Sequence, residues 1–215
     1  KYGEQGNYDR AIDELSTAIE LNPNLLSAYY HRGVYRATEG ECDLSILDYT
    51  KVIELDSKYG NAYSKRCGCY VRIGEHESAI FDCTKAIEID PTAEEAYINR
   101  AAAYGSLGEY ELALSDCNIA IELDPGNTSA YYNKGTVLLG QDDCESAIVA
   151  FSRALELAHD HTGALRKRAW CNSQLNEYQL SIIDYTKLIE IQPDNAIAYN
   201  GRGWANAQLG NYEQC

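Results

Sequence analysis

The four prolines of this chain stand at 23, 91, 125 and 193, and the gaps of 68, 34 and 68 residues are all multiples of 34. A fixed period of this length means that each unit is one supersecondary element whose apolar face is covered by its neighbours in the chain. The period survives without the prolines. Cutting at Leu26, Gly60, Glu94, Thr128, Thr162 and Ala196 gives complete units 26–59, 60–93, 94–127, 128–161 and 162–195. Partial units 1–25 and 196–215 flank them, and no insertion is needed anywhere. Counting the first residue of each unit as phase 1, phase 4 is large (Tyr29, Tyr63, Tyr97, Tyr131, Leu165, Tyr199) and phase 8 small (Gly33, Cys67, Ala101, Gly135, Ala169, Gly203). Phase 20 is small in all units, while phase 24 is Leu15, Tyr49, Cys83, Cys117, Phe151 and Tyr185. Phases 4, 8 and 11 share one helical face, as do 20, 24 and 27. The spacing therefore predicts an all-α chain of antiparallel helix pairs that pack closely because small residues oppose large ones.

Punctuation fits this reading. Phase 15 is Gly6, Gly40, Gly74, Gly108, Asp142, Asn176 and Gly210, which are the residue types that accept a left-handed backbone, so a turn is expected between the two helices. Proline at phase 32 is expected to stop the second helix, with Ser57 and His159 filling that slot in the two complete units that lack it.

The unit from Glu94 to Asn127 reads AYINRAAAY, then LGEY, then ALSDC, and closes on ELDP at Pro125. These residues resemble the tetratricopeptide repeat, and the likeness runs through the whole chain as one repeat domain, 1–215. The resemblance implies an α-solenoid, a right-handed superhelix whose first helices line a concave groove for extended peptides or partner helices. Departures fall at phase 11, where Arg36, Asn172 and Asn206 replace the aromatic, and in the turn from Ala158 to His161.

Both ends of the sequence fall inside a repeat, Lys1 at phase 10 and Cys215 at phase 20, and there is no methionine. A fragment of a longer chain is expected from this, with end-to-end self-association through uncapped repeats as one consequence.

A net charge of −15 argues against nucleic acid as a partner, since phosphate neutralisation needs a basic surface. No apolar run is long enough for membrane insertion. Cys67, Cys69, Cys171, Cys42, Cys144, Cys83 and Cys117 occupy repeat slots and read as small core residues. Buried free thiols suit a reducing compartment, so a cytoplasmic location is expected. A metal or redox site at Cys67 and Cys69 is disfavoured, because two positions on a helix are about 200° apart. His159, Asp160 and His161 offer two imidazoles and a carboxylate without a further ligand, and read as a solvated turn. No nucleophile elbow, phosphate-binding glycine loop or HExxH motif occurs. No enzyme, cofactor or metal is expected within these residues.

Phase 7 carries Arg32, Arg66, Arg100, Lys134, Arg168 and Arg202, a cation on the buried stripe in every unit. Phase 23 carries Asp48, Asp82, Asp116, Ala150 and Asp184. The two phases stand eight residues either side of the turn, and the one lysine coincides with the one alanine. A structural guanidinium–carboxylate pair between the helices is predicted, in preference to a ladder for an anionic ligand.

In the family, phases 2, 5, 6, 9, 12 and 13 of the first helix tend to line the groove. Carried onto this sequence, they give as candidate partner-binding residues His31, Lys65, Arg72, Asn99, Tyr132, Asn133, Arg166, Lys167, Trp170 and Trp204. The clamp by which some members grip chaperone carboxylates does not map here. Asn99 fits its central position, but Ser64, Gly68, Ser129 and Asn133 stand where its other ligands belong. Centring on Asn133 recovers Lys167 but leaves Ile98, Ala102 and Gly163 in ligand positions. The expected function is thus a non-enzymatic scaffold for an extended, acidic or amide-rich segment of a protein partner. Its densest candidate contact is the basic and aromatic group in units 128 to 215. The rivals are a substrate-recruiting arm of a larger enzyme and a self-assembling structural solenoid.

Overall fold

The computed structural model describes residues 5–210. Among these there are twelve α-helices and no strand. They form two compact units, one ending at Leu107 and the other beginning at Gly108. The first holds α1 (Gln5–Leu21), α2 (Leu26–Glu39), α3 (Cys42–Leu55), α4 (Gly60–Ile73), α5 (His76–Ile89) and α6 (Glu94–Ser106). The second holds α7 (Tyr110–Leu123), α8 (Thr128–Gly140), α9 (Cys144–Leu157), α10 (Thr162–Gln174), α11 (Tyr178–Ile191) and α12 (Ala196–Gln208).

Register with the sequence period is strict. Each first helix from α2 onward begins at phase 1, and each second helix from α3 onward runs from phase 17 to phase 30. The turn at phase 15 is left-handed in Gly40, Gly74, Gly108 and Gly210, with φ between 75° and 92°. Asp142 and Asn176 adopt the same region, at φ 61° and 62°. Gly6 instead falls in the first turn of α1.

Proline does not set the end of the second helices. α3 and α9, followed by Ser57 and His159, end at the same phase as α5, α7 and α11, which are followed by Pro91, Pro125 and Pro193. Phase 31 leaves the helix for an extended conformation in each case, as at Asp56 (φ −145°) and Asp90 (φ −134°). Its N–H still reaches the carbonyl four residues back, Val52 and Ala86 respectively, at 2.8 Å. The turn geometry closes the helix whether or not a ring forbids its continuation.

Phases 8 and 24 meet inside each pair. A Cβ on Gly33 would stand 2.9 Å from the Tyr49 ring, and one on Gly135 would stand 2.6 Å from the Phe151 ring. Both rings are fully buried. In the repeat 60–93 both phases carry cysteine, and Cys67 and Cys83 are joined in a disulfide with their Cα atoms 5.5 Å apart. This corrects the reading of all the cysteines as free core thiols. Cys67 and Cys69 diverge on one helix, and the partner of Cys67 comes instead from the facing slot on α5. Cys42, Cys69, Cys117, Cys144 and Cys171 are free and buried, and Cys215 lies outside the described residues. Burial pushes the Cys69 thiol up to about 11 and the Cys117 and Cys171 thiols up to about 12. With two cysteines bridged, the cysteine pattern no longer points to a reducing compartment.

The paired charges form as the spacing predicts, and three repeats illustrate the geometry. Arg32 pairs with Asp48 at 2.7 Å, Arg66 with Asp82 at 2.6 Å and Arg168 with Asp184 at 2.7 Å, every carboxylate being almost wholly buried. Arg36, the phase 11 departure, adds a second guanidinium to Asp48 at 2.8 Å. Each phase 7 cation also reaches back one repeat to a polar group at phase 25. Arg66 donates to Thr50 at 2.8 Å, Arg100 to Thr84 at 3.0 Å, Lys134 to Asn118 at 2.8 Å and Arg168 to Ser152 at 2.9 Å. One guanidinium therefore ties two helices of its own repeat to the repeat before it.

Candidate functional site

Two clefts, one in each compact unit, gather six of the ten candidate groove residues. In the first unit, Lys65, Arg72 and Asn99 line a cleft of about 360 Å³ with Gly68 and Glu95. Gly68 leaves room for the Asn99 amide, whose nitrogen would lie 3.2 Å from a Cβ there. The basic groups of this cleft are already engaged. Lys65 Nζ lies 2.9 and 2.7 Å from the two carboxylate oxygens of Glu95. Arg72 donates to the Ala37 carbonyl, in the last turn of α2, at 2.6 Å. His31 turns to its own helix, its Nδ1 2.6 Å from the Ser27 carbonyl oxygen and its ring edge-on to Tyr30.

In the second unit, Arg166, Lys167 and Trp170 of α10 line a cleft of about 280 Å³, completed by Leu139, Tyr185 and Ile197. Among the described residues neither Arg166 nor Lys167 has a carboxylate within ion-pairing distance. Arg166 is exposed, and Trp170 presents 43% of its surface. Lys167 is half-buried, its ammonium 6.0 Å above the Tyr132 ring. Burial, and then the neighbouring Arg166 charge, hold Lys167 below the usual lysine range. Tyr132 is fixed from beneath by Phe151 at 6.0 Å and by His161 at 4.7 Å between ring centroids. His161 is itself held, since its Nδ1 accepts the Ala164 N–H at 3.1 Å and caps α10. That bond accounts for the histidine turn structurally, and among the described residues no three potential ligands gather around a metal-sized space.

Trp204 stands outside this cleft, edge-on to Tyr178 at 5.6 Å. Asn133 follows Tyr132 on α8, half-buried and also outside the cleft lining. The sequence reading therefore found the polar half of the second cleft and missed Leu139, Tyr185 and Ile197, which come from three other helices. Lys65, taken from the sequence as a partner-binding candidate, is paired with Glu95. Phases 6 and 2 of successive repeats face one another, so the pairing with Glu95 was available from the register.

Comparison with known families places tetratricopeptide-repeat profiles on residues 1–40, 68–92, 94–127, 132–196 and 184–215. The chain belongs to the tetratricopeptide-repeat family. No curated protein matches the sequence. Among solved structures, the tetratricopeptide-repeat chain is similar to YrrB, described as having an unusual peptide-binding site. The two share 22% identity over 87% of this chain and 97% of that one, with a TM-score of 0.63. It is similar to a chain of the Cut9–Hcn1 assembly at 16% identity, covering 96% of this chain and 41% of that one, with a TM-score of 0.82. A tetratricopeptide-repeat protein of Parabacteroides merdae shares 14% identity over 94% and 78% of the two chains, with a TM-score of 0.74. At these identities the likeness establishes the fold. Family and fold together support a protein-interaction scaffold, and no described helix is long and apolar enough to cross a membrane.

Proposed function

We propose that this chain is a non-catalytic scaffold that receives an extended, carboxylate-bearing segment of a partner protein at the Arg166–Lys167–Trp170 cleft. The observation that carries the reading is an asymmetry between the two clefts. Lys65 and Arg72 already have anionic or carbonyl partners, whereas Arg166 and Lys167 stand side by side without a carboxylate. A half-buried ammonium held below its ordinary range gains when a carboxylate arrives. An exposed indole beside it supplies the apolar contact that such hot spots use. The peptide-binding description of YrrB agrees in kind with this reading.

The test begins with a partner captured from a lysate by the whole chain and then measured by calorimetry against variants. Replacing Arg166 and Lys167 with Ala should weaken binding by at least about tenfold, the loss expected for charge-assisted hydrogen bonds. Lys65→Ala with Arg72→Ala should cost less. A pH arm follows from the sign of the Lys167 shift. The cation is the binding form, and its proton leaves below the ordinary lysine range, so affinity should fall as pH rises into the alkaline region. Lys167→Arg should flatten that fall, because a guanidinium stays protonated there. Equal affinity of the double alanine variant and the parent at matched salt would sink the proposal.

A further inference from the structure

We infer a second binding site, between α8 and α9, for an acidic side chain carried on an apolar segment of a partner protein. In three repeats the phase 7 guanidinium meets a buried aspartate at phase 23, namely Asp48, Asp82 or Asp184. The repeat 128–161 keeps the cation as Lys134 but places Ala150 where the carboxylate belongs. Lys134 Nζ retains the backward bond to Asn118 at 2.8 Å. No described carboxylate lies within ion-pairing distance of it. Against these two residues lies a cavity of about 740 Å³, walled by Tyr131 and Leu138 of α8 and by Ile148 and Val149 of α9.

This vacancy has a defined chemistry. A cation on the cavity wall without its carboxylate, in a protein whose sequence places one there in four sister repeats, is complementary to an incoming Asp or Glu side chain. The rim adds little net charge, because Glu156 is held by Arg153 at 2.6 Å and Arg153 lies over the Tyr131 ring at 5.9 Å. The volume exceeds what one carboxylate fills, and the walls are mostly apolar despite Ser146 and Ser152, so neighbouring aliphatic side chains enter with it. Val149 is 71% exposed at the mouth, which opens the cavity to a chain lying across α9. The site is distinct from the α10 cleft and depends on none of its residues.

The test uses the whole chain, isotope-labelled, with the blocked peptide acetyl-Leu-Glu-Leu-Leu-amide and its Glu→Gln counterpart as probes. The glutamate peptide should shift amide resonances of residues 131–138 and 146–153 saturably, and the glutamine peptide should bind at least about tenfold more weakly. Ala150→Asp installs the carboxylate of the sister repeats, which tolerate it, and should abolish binding by filling the slot from within. Lys134→Gln can keep a hydrogen bond to Asn118 while removing the charge, and should erase the discrimination between the two peptides. Equal affinity for both peptides, undiminished binding by Ala150→Asp, or shifts confined to α10 would each overturn the inference.

Discussion

A single arginine at phase 7 shows how one residue serves several neighbours. The Arg66 guanidinium donates to both oxygens of Asp82 at 2.6 and 2.8 Å and to Thr50 at 2.8 Å. It also lies between the rings of Tyr63 and Tyr70, at 5.8 and 5.9 Å. The spacing Tyr-x2-Arg-x3-Tyr places both rings one helical turn from the arginine, so the cation is flanked within its own helix before α5 supplies the carboxylate. Two charges removed from water in this way stabilise little in absolute terms, but losing one strands the other. Arg66→Ala should therefore cost about 3 kcal/mol, and Asp82→Ala a similar amount. The double variant should cost clearly less than the sum, read from denaturant unfolding as a double-mutant cycle. Additive losses would show that the two side chains are independent.

At the scale of the helix pair, the decisive contact is between phases 8 and 24, and their side chains compensate for each other. Glycine meets a large ring at Gly33 with Tyr49 and at Gly135 with Phe151, while two sulfurs meet at Cys67 and Cys83. Gly135→Ala would push a methyl to 2.6 Å from the Phe151 ring, which is fully buried and cannot swing aside. A loss of about 1–3 kcal/mol is expected, beyond the small gain in helix propensity. Adding Phe151→Leu should recover part of it, because removing the ring edge removes the clash. No recovery would mean that the backbone, not the ring, sets the limit. This pairing explains what was legible in the sequence. Helix starts, turns and the Arg–Asp pairs recur at fixed phase, so five complete and two partial copies of one pattern report the same local chemistry. The disulfide, the Lys65–Glu95 pair and the apolar half of the α10 cleft depend on which phases face each other across helices. A period along the chain does not state that directly. Proline was misleading for the complementary reason: it recurs in register, yet α3 and α9 end identically without it.

Across the whole molecule, repetition means that order is assembled from neighbours. Within each compact unit, helices pack on those one or two places away in the chain, and among the described residues no contact links more distant ones. Stability in such an array is a sum of repeat terms and nearest-neighbour interfaces, so a local defect has a limited reach. The phase 7 cations shape that reach. Arg168 ties α10 to α11 through Asp184 and to α9 through Ser152. In the neighbouring repeat Lys134 keeps the backward bond but has no aspartate on α9. The α8–α9 pair thus lacks one charged tie that its sister pairs possess, even though Phe151 and Gly135 pack it tightly. Gly135→Ala should therefore lower amide-exchange protection most in α8 and α9, less in α7 and α10, and leave α2 and α3 at parent values. Exchange measured helix by helix by mass spectrometry, under conditions where reclosing is faster than chemical exchange, reads this gradient directly. A uniform drop in all helices would show that the chain unfolds as one cooperative body and that its repeats are not separable units of stability.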